Sequence, residues 1–231
     1  MIQKFWQNNK GILLGLFLLL FFRSAIADWY HVPSSSMEPN VLIGDRVWVN
    51  KLAYDVKVPF SDINLNRHAE PEVGDVIVFQ SKAANNRLIK RVIGLPGDKI
   101  AMQDNRLLVN GQPVPIERLD EQQWFDDFLK DRDQAVYFKE NHSLDADADG
   151  HQAFPIRISR FLHGVPSSFY EIEVPADHYW VMGDNRDNSA DSRVIGLVPR
   201  VELVGRAERI VVSLDVHNYY LPRRGRYWET L

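Results

Sequence analysis

Apolar residues occur along most of this chain in short alternating or β-branched runs, a pattern that predicts strands rather than helices. Two of these runs, 107–109 and 112–114, flank Asn110-Gly111, a dipeptide typical of a type I′ hairpin turn. Residues 55–71 are irregular and contain proline and asparagine, which predicts a loop. The single runs that predict strands are 46–51, 73–79, 87–95, 170–174, 179–182, 194–198 and 209–214. The pattern therefore predicts a mainly β protein.

One apolar segment near the N-terminus is longer than these runs. Residues 11–22 carry no polar side chain, and Arg23 is the only charged residue between positions 11 and 27. A helix needs about 20 residues to span a bilayer, and residues 11–30 supply that length. Arg23 lies near enough to the end to reach the headgroups. Lys4 and Lys10 precede the segment, which predicts a cytoplasmic N-terminus and an exported body.

A cleaved signal peptide is the alternative for this segment. Its basic start, apolar middle and Ala25-x-Ala27 resemble a secretory signal with its cleavage site. Both alternatives predict that the rest of the chain is exported. The serine-rich turn described below begins only a few residues later, which favours an anchor that is retained.

Composition excludes several classes of protein and site. The 27 basic and 31 acidic residues give a net charge of −4 without a basic stripe, so no nucleic-acid partner is expected. The absence of cysteine excludes disulfides, a thiol nucleophile and cysteine-based zinc sites. The seven histidines have no metal-ligand spacing, and a calcium-like run at residues 145–150 has Ile156 where a bidentate glutamate is required. We therefore predict no metal and no cofactor.

Candidate chemistry starts at residues 33–39, the serine turn, where three serines lie between Pro33 and Pro39. Proline fixes its own φ and favours extended geometry in the preceding residue, so the serines are expected in a short, presented turn. A serine hydroxyl is a poor nucleophile unless a base lies within hydrogen-bond reach and donors can stabilise the developing oxyanion.

Lys90 is the candidate base, because strand alternation places it on one face with Leu88 and Val92. Apolar surroundings lower the pKa of a lysine, and a neutral amine can accept a serine proton. The alternative is an edge-strand lysine whose head group reaches water. His31 is a second candidate base, although a turn places adjacent side chains poorly for proton transfer.

The polar loop, residues 183–193, is rich in hydrogen-bonding groups and lies between two predicted strands. Asp191 and Arg193 are two residues apart and could pair, and Ser189 could bond to the lysine amine. The alternative is an ordinary surface turn.

Four stretches in this order, after an apolar segment, resemble the bacterial type I signal peptidases, the leader peptidases with a Ser-Lys dyad. Pro33-Ser34-x-Ser36-Met37-x-Pro39 resembles the nucleophile motif of that family. Residues 73–79 resemble the central strand motif of the family, residues 89–98 its lysine motif, and residues 183–193 its last motif. The resemblance covers residues 23–102 and 179–214 and is weak between them.

The resemblance implies a serine endopeptidase in which Ser36 is the nucleophile and neutral Lys90 the general base. The Ser36 backbone N–H and the Ser34 hydroxyl would form the oxyanion hole. Ser189 would orient the lysine, and Asp191 with Arg193 would brace the polar loop. Shallow pockets for small substrate residues would be lined by Val32, Pro33, Met37 and Ile89.

The implied substrates are the signal peptides of exported preproteins, cleaved after Ala-x-Ala-type sequences. The implied partners are the lipid bilayer and the protein export translocon, with the catalytic body on the extracytoplasmic side of the cytoplasmic membrane. The alternatives left open are a dedicated pilin-processing peptidase, a self-cleaving regulator, and a non-enzymatic, membrane-anchored module of an export complex. Ala25-x-Ala27 also raises the hypothesis that the enzyme cleaves its own anchor.

The predicted fold is an antiparallel β-sheet catalytic domain with an inserted second domain of β or α+β type, preceded by one transmembrane helix. The insert has an acidic stretch, with eleven acidic and four basic residues from 117 to 149. A weak helical face there would include Ile116, Leu119, Phe125, Phe128 and Leu129. A tail rich in arginine and aromatic residues could be solvated or touch anionic lipid. The predicted boundaries are 1–10 for the N-terminal tail, 11–30 for the anchor, 31–102 and 176–215 for the catalytic domain, 103–175 for the insert and 216–231 for the C-terminal tail.

Overall fold

The computed structural model describes residues 2–61, 63–119, 135–142, 153–161 and 164–231, and of residues 2–8 only the backbone. Within these ranges the α-helices are α1 (Ile2–Ala25) and α2 (Ser192–Ile195), and a short 3-10 helix spans Arg200–Glu202. The strands are β1 (Ala27–His31), β2 (Asp45–Asn50), β3 (Asp55–Lys57), β4 (Asn64–Arg67), β5 (Val76–Ser81), β6 (Asn86–Gly94), β7 (Lys99–Gln103), β8 (Arg106–Val109), β9 (Gln112–Pro113), β10 (Ile116–Arg118), β11 (Ala135–Asn141), β12 (Ala153–Ser159), β13 (Phe169–Glu173), β14 (His178–Met182), β15 (Val198–Pro199), β16 (Leu203–Asp215), β17 (Leu221–Pro222) and β18 (Glu229–Thr230). The mainly β prediction is confirmed.

The largest sheet is antiparallel and has the order β1-β2-β16-β5-β6-β14-β15, with β17 and β18 also paired to β16. Strand β5 lies in its centre and is buried on both faces, as its β-branched run predicts. Val76 and Val78 pack into one core cluster, and Ile77 and Phe79 into another. The sheet therefore has a hydrophobic core on each side.

Two smaller antiparallel sheets contain most of the described insert, in the orders β13-β7-β8-β9 and β10-β11-β12. The hairpin at Asn110-Gly111 is confirmed, and both residues have the positive φ (52° and 76°) that a type I′ turn requires. Strand β7 begins before the predicted boundary at residue 103 and pairs with β13 inside the insert. Of the predicted helical face, Ile116 lies in strand β10, while Phe125, Phe128 and Leu129 lie outside the described residues.

Two local predictions are wrong. Residues 55–71 are not only loop, since β3 and β4 pair there as a hairpin with an irregular register. Residues 194–198 are not one strand, since helix α2 comes first and is capped by Asp191, whose side chain accepts from the Arg193 backbone N–H. The capping bond stabilises a helical turn where apolar alternation alone suggested a strand.

The C-terminal tail is folded against the main sheet. Strands β17 and β18 pair with β16, and the Leu231 backbone N–H donates to Glu208 O at 3.0 Å. Arg223 and Arg226 both reach the buried carboxylate of Asp45, at 3.7 and 3.0 Å. Two of the arginines that suggested a solvated or lipid-bound tail, Arg223 and Arg226, therefore lie partly buried against the body, while Arg224 is exposed.

Helix α1 ends earlier than the predicted anchor. The chain leaves the helix at Ala25, and β1 then pairs with β2 from Ala27↔Asn50 to His31↔Arg46. Trp29 therefore lies in a strand and not at the end of a helix. The backbone N–H and C=O groups of β1 are satisfied by pairing with β2. Of the helices in the described part of the chain, none combines the length and apolar character that a membrane crossing requires.

Candidate active site

The serine turn lies in the connection between β1 and β2. Two backbone hydrogen bonds close the base of this connection, from Val32 N–H to Asp45 O and from Gly44 N–H to Val32 O, each 3.0 Å long. Val32 and Met37 are anchored in the core of the main sheet. Ser36 precedes one of these anchors and is itself 7% exposed, so its hydroxyl has a fixed environment.

Lys90 reaches that hydroxyl from β6. Its Nζ lies 2.7 Å from Ser36 Oγ, and it donates to Ile89 O at 2.8 Å. The lysine is 2% exposed, so its amine is not in open solvent. Strand β14 pairs with β6 only from Arg91 to Gly94, and Lys90 therefore lies directly beyond the end of β14.

Burial lowers the pKa of Lys90 from the ordinary 10.5 to about 8, while the nearby carboxylates of Asp191 and Asp184 oppose this shift. The desolvation of the ammonium is the larger effect. At neutral pH an appreciable fraction of the amine is therefore uncharged and able to accept a proton.

The polar loop begins at Gly183, against the carbonyl of Ser36. A Cβ at this position would lie 2.4 Å from Ser36 O and 2.2 Å from Ser189 Oγ, so no larger residue fits without movement. Ser189 is buried, and its Oγ has no hydrogen-bond partner among the described residues. The structure places Ser189 beside the dyad without a hydrogen bond to the Lys90 amine.

Two asparagines of the polar loop donate hydrogen bonds to the serine turn. The Asn185 backbone N–H donates to Ser36 O at 3.1 Å, and its side-chain amide donates to Ser35 O at 3.0 Å. The Asn188 side chain donates to Ser35 Oγ at 2.9 Å. Neither asparagine was singled out from the sequence, where only their position in a polar stretch pointed to them.

Asp191 and Arg193 form a buried pair at the other end of the polar loop. Arg193 Nε and Nη2 donate to the two carboxylate oxygens at 2.9 and 2.8 Å. Asp191 also accepts from the Gly183 backbone N–H at 3.0 Å. These contacts join the two ends of the loop.

A second buried pair was missed in the sequence. Arg91, the residue after Lys90, donates from Nε and Nη2 to Asp184 at 2.9 and 2.8 Å. Asn40 donates to the same carboxylate at 2.7 Å. Both Arg91 and Asp184 lie inside motifs that matched the family, but the contact between them depends on the register of β6 and the polar loop.

The predicted pocket residues differ in their access to solvent. Pro33 is exposed and Ile89 is half-buried beside the core, whereas Val32 and Met37 are 2% and 0% exposed. Ser34, the predicted oxyanion donor, is exposed, and its Oγ lies 3.5 Å from Ser36 Oγ. His31, the rival base, is the exposed last residue of β1.

The described residues contain no group of three or more histidine, aspartate or glutamate side chains placed to hold a metal ion. The calcium-like run at residues 145–150 lies outside them.

Comparison with known proteins places this geometry in a family. The family described as "Signal peptidase, peptidase S26" matches residues 6–212. The chain belongs to this signal peptidase family. The match includes the serine turn, the Lys90 strand, the polar loop and also the insert, and it ends before the C-terminal tail.

Curated members of the signal peptidase family are similar over most of their length. Signal peptidase I of Pseudomonas fluorescens is 33% identical, with 90% of this chain and 72% of the relative covered. Signal peptidase I P of Bacillus subtilis subsp. natto is 30% identical, with 89% and 88% covered. A solved signal peptidase I from Enterococcus faecalis is 29% identical, covers 60% of this chain and 97% of its own, and has a TM-score of 0.33. The family match and the curated relatives identify the chain as a hydrolase of the serine endopeptidase type.

Proposed function

We propose that this protein removes N-terminal signal peptides from exported preproteins, with Ser36 as nucleophile and neutral Lys90 as general base. The observation that carries the proposal is the 2.7 Å distance between Lys90 Nζ and Ser36 Oγ in a buried setting. This distance allows direct proton transfer. The lowered pKa of Lys90 supports the same role, because a protonated amine could not act as a base.

In the acylation step, Ser36 Oγ attacks the scissile carbonyl and its proton passes to Lys90 Nζ. Collapse of the tetrahedral intermediate breaks the peptide C–N bond. The lysine ammonium returns the proton to the leaving amine, which starts the mature protein. Ile89 O, which accepts from Nζ at 2.8 Å, keeps the amine oriented through both transfers.

In the deacylation step, neutral Lys90 takes a proton from water, whose oxygen attacks the acyl carbonyl. The ester bond to Ser36 breaks, the Lys90 ammonium returns the proton to Ser36 Oγ, and the signal peptide leaves with a free carboxyl group. We propose that the Ser36 backbone N–H and the Ser34 hydroxyl stabilise the oxyanion in both steps. Support for Ser34 comes from its exposed position 3.5 Å from the nucleophilic oxygen.

Specificity for small residues before the cut is proposed to come from the surface around the serine turn. Pro33 and Ile89 supply its accessible part, and Val32 and Met37 lie beneath as a packed floor. A floor filled by core side chains leaves little depth for a large substrate residue, which is consistent with Ala-x-Ala-type sequences.

We further propose that helix α1 anchors the chain in the cytoplasmic membrane, with the body on the extracytoplasmic side beside the export translocon. Apolar side chains on α1 are strongly exposed, and removing them from water is favourable. The exposed fractions are 65% for Ile12, 59% for Leu14 and 55% for Phe17. Lys10 precedes them, which favours a cytoplasmic N-terminus.

The β3–β4 hairpin supports the anchor from the body of the protein. The Phe60 backbone N–H donates to Ser24 Oγ at 2.6 Å, so the tip of the hairpin lies beside the end of α1. Phe60, Ile63 and Leu65 are 60%, 63% and 66% exposed. An apolar hairpin next to an apolar helix is suited to contact the same lipid surface.

The central experiment is cleavage of a preprotein in detergent by wild type, Ser36→Ala and Lys90→Met. Loss of cleavage in both variants is expected, while Ser61→Ala and Lys82→Met, which change exposed residues, should cleave like wild type. Near-normal turnover by either dyad variant would refute the mechanism. A panel of preproteins that includes a pilin precursor separates a general peptidase from a dedicated one.

The anchor is tested by flotation of the full chain with liposomes. Wild type should float, and a variant with Leu16→Glu and Leu18→Glu should remain in the soluble fraction, because charges are costly in lipid. Equal flotation of the two proteins would exclude α1 as the anchor.

A further inference from the structure

The polar loop forms a bridge between the insert and the nucleophile. On one side, Arg157 of β12 donates its backbone N–H to Asp184 O and accepts from the Arg186 N–H, each at 2.8 Å. On the other side, the Asn185 N–H donates to Ser36 O at 3.1 Å. Residues 184–186 therefore lie like a short extra strand between β12 and the serine turn.

A buried ion pair fixes this bridge to the next strand of the insert. Arg186 donates from Nη1 and Nη2 to the carboxylate of Glu140 on β11, at 2.6 and 2.5 Å. Both side chains are fully buried. Neighbouring His142 has its Nε2 2.7 Å from the same carboxylate. A bidentate pair of this kind restricts orientation as well as position.

Strand β12 also contacts the serine turn and the residue that follows it. Pro155 O accepts from the Asn40 side chain at 2.8 Å. Arg157 Nη1 lies 3.3 Å from Glu38 Oε2. The insert therefore reaches the nucleophile segment by two direct contacts and by the bridge.

Both members of the dyad are anchored in the main sheet, but Ser36 is also held by a second sheet. Lys90 belongs to β6 of the main sheet, whereas the carbonyl of Ser36 is held through Asn185 to the sheet β10-β11-β12. The Oγ–Nζ distance therefore depends on the position of the smaller sheet as well as on the packing of Val32 and Met37 in the main-sheet core. An error of 1 Å in such a distance can reduce a rate by about 10²-fold.

We propose that the sheet β10-β11-β12 positions the nucleophile, and that Glu140 is a positioning residue that acts through Arg186. The proposal rests on the Ser36–Lys90 mechanism and gives the insert a part in it. Glu140 is 0% exposed and therefore cannot touch substrate, so we expect its replacement to change the rate of acylation and not substrate binding.

The test compares Glu140→Gln with the matched control Glu117→Gln, which makes the same change at an exposed position of the same sheet. Both are assayed for preprotein cleavage and for acylation of Ser36 by a penem, at a temperature where near-UV circular dichroism shows folded protein. For Glu140→Gln we expect kcat and the acylation rate to fall by about tenfold or more. KM and the pH midpoint should remain at their wild-type values.

A folded Glu140→Gln variant with kcat within twofold of wild type would overturn the proposal, since a merely structural role lowers the unfolding temperature but not the turnover of folded molecules. If Glu140→Gln does not fold, the test uses Asn40→Ala, which changes a half-buried residue, with Asn218→Ala as its control. A wild-type kcat in Asn40→Ala would then overturn the proposal. Wild type and Ser36→Ala are run in parallel. Cleavage by Ser36→Ala would count against the dyad itself, whereas the result for Glu140→Gln bears only on the role of the smaller sheet.

Discussion

Replacing Lys90 by methionine should inactivate the enzyme and stabilise its fold at the same time. Burial lowers the pKa of this lysine from 10.5 to about 8 in the folded chain. Between these values the unfolded chain binds more protons than the folded one, so stability increases with pH. Below pH 8 the whole shift applies, and at about 1.4 kcal/mol for each pKa unit it corresponds to about 3 kcal/mol of destabilisation.

The pH dependence separates this cost from the hydrogen bonds that the substitution also removes. At pH 9.5 about 1.4 kcal/mol of this destabilisation remains. Between pH 6 and pH 9.5 the free energy of unfolding of wild type should therefore rise by about 2 kcal/mol relative to that of the variant. The contacts with Ser36 Oγ and Ile89 O are lost at both pH values and offset part of the stabilisation.

The assay is urea unfolding in detergent, followed by tryptophan fluorescence at several pH values, with Lys82→Met as the exposed control. The free-energy difference between wild type and Lys90→Met should shrink as the pH rises, while the control should show no such trend. A difference that stays constant from pH 6 to pH 9.5 would mean that the amine is not desolvated as the structure indicates.

Four further predictions concern the dyad and the residues around it. Because the neutral amine is the base, kcat/KM should rise with pH and level off above a midpoint of about 8, and a pH-independent rate would contradict this. Ser34→Ala should lower kcat by about 10²–10³, whereas Ser35→Ala, its neighbour, should have a much smaller effect; equal effects would exclude Ser34 as the donor. Gly183→Ala should abolish most activity, since its Cβ would overlap the nucleophile's carbonyl oxygen, 2.4 Å away; normal turnover would show that the loop yields freely. Arg226→Met should reduce the free energy of unfolding by about 1–3 kcal/mol, because it removes a hydrogen-bond donor from the buried carboxylate of Asp45. An unchanged urea midpoint would contradict this prediction.

The strand pattern and the dyad segments could be predicted because they depend on local sequence. The β-branched run of β5 and the turn dipeptide at Asn110-Gly111 specify their conformation with few long-range contacts. Lys90 could be placed on an apolar face by alternation alone. The distance to Ser36 could not, because it depends on how a turn 54 residues earlier in the chain packs against the sheet.

The polar contacts that complete the site were beyond sequence reasoning for the same reason. Glu140 looked like one acidic residue among many in an acidic stretch, and only the register of β11 and β12 buries it against Arg186. Arg226 looked like part of a basic tail, but it donates to Asn40 O at 2.8 Å beside the serine turn. The local sequence around a charged residue in a polar stretch does not indicate whether that residue is buried, because its partner comes from a distant part of the chain.

The arginines around the dyad explain how a lysine can be neutral among carboxylates. Asp184 and Asp191 both raise the pKa of Lys90 by their charge. Arg91 pairs with the first and Arg193 with the second, each at 2.8 Å, and the positive guanidinium groups oppose the effect of the carboxylate charges on the amine. Lys90 itself contacts a hydroxyl and a carbonyl, which leaves desolvation as the stronger influence. The proton-accepting state at residue 90 therefore depends on two ion pairs, of which the sequence suggested only the one between Asp191 and Arg193, as a brace of the polar loop.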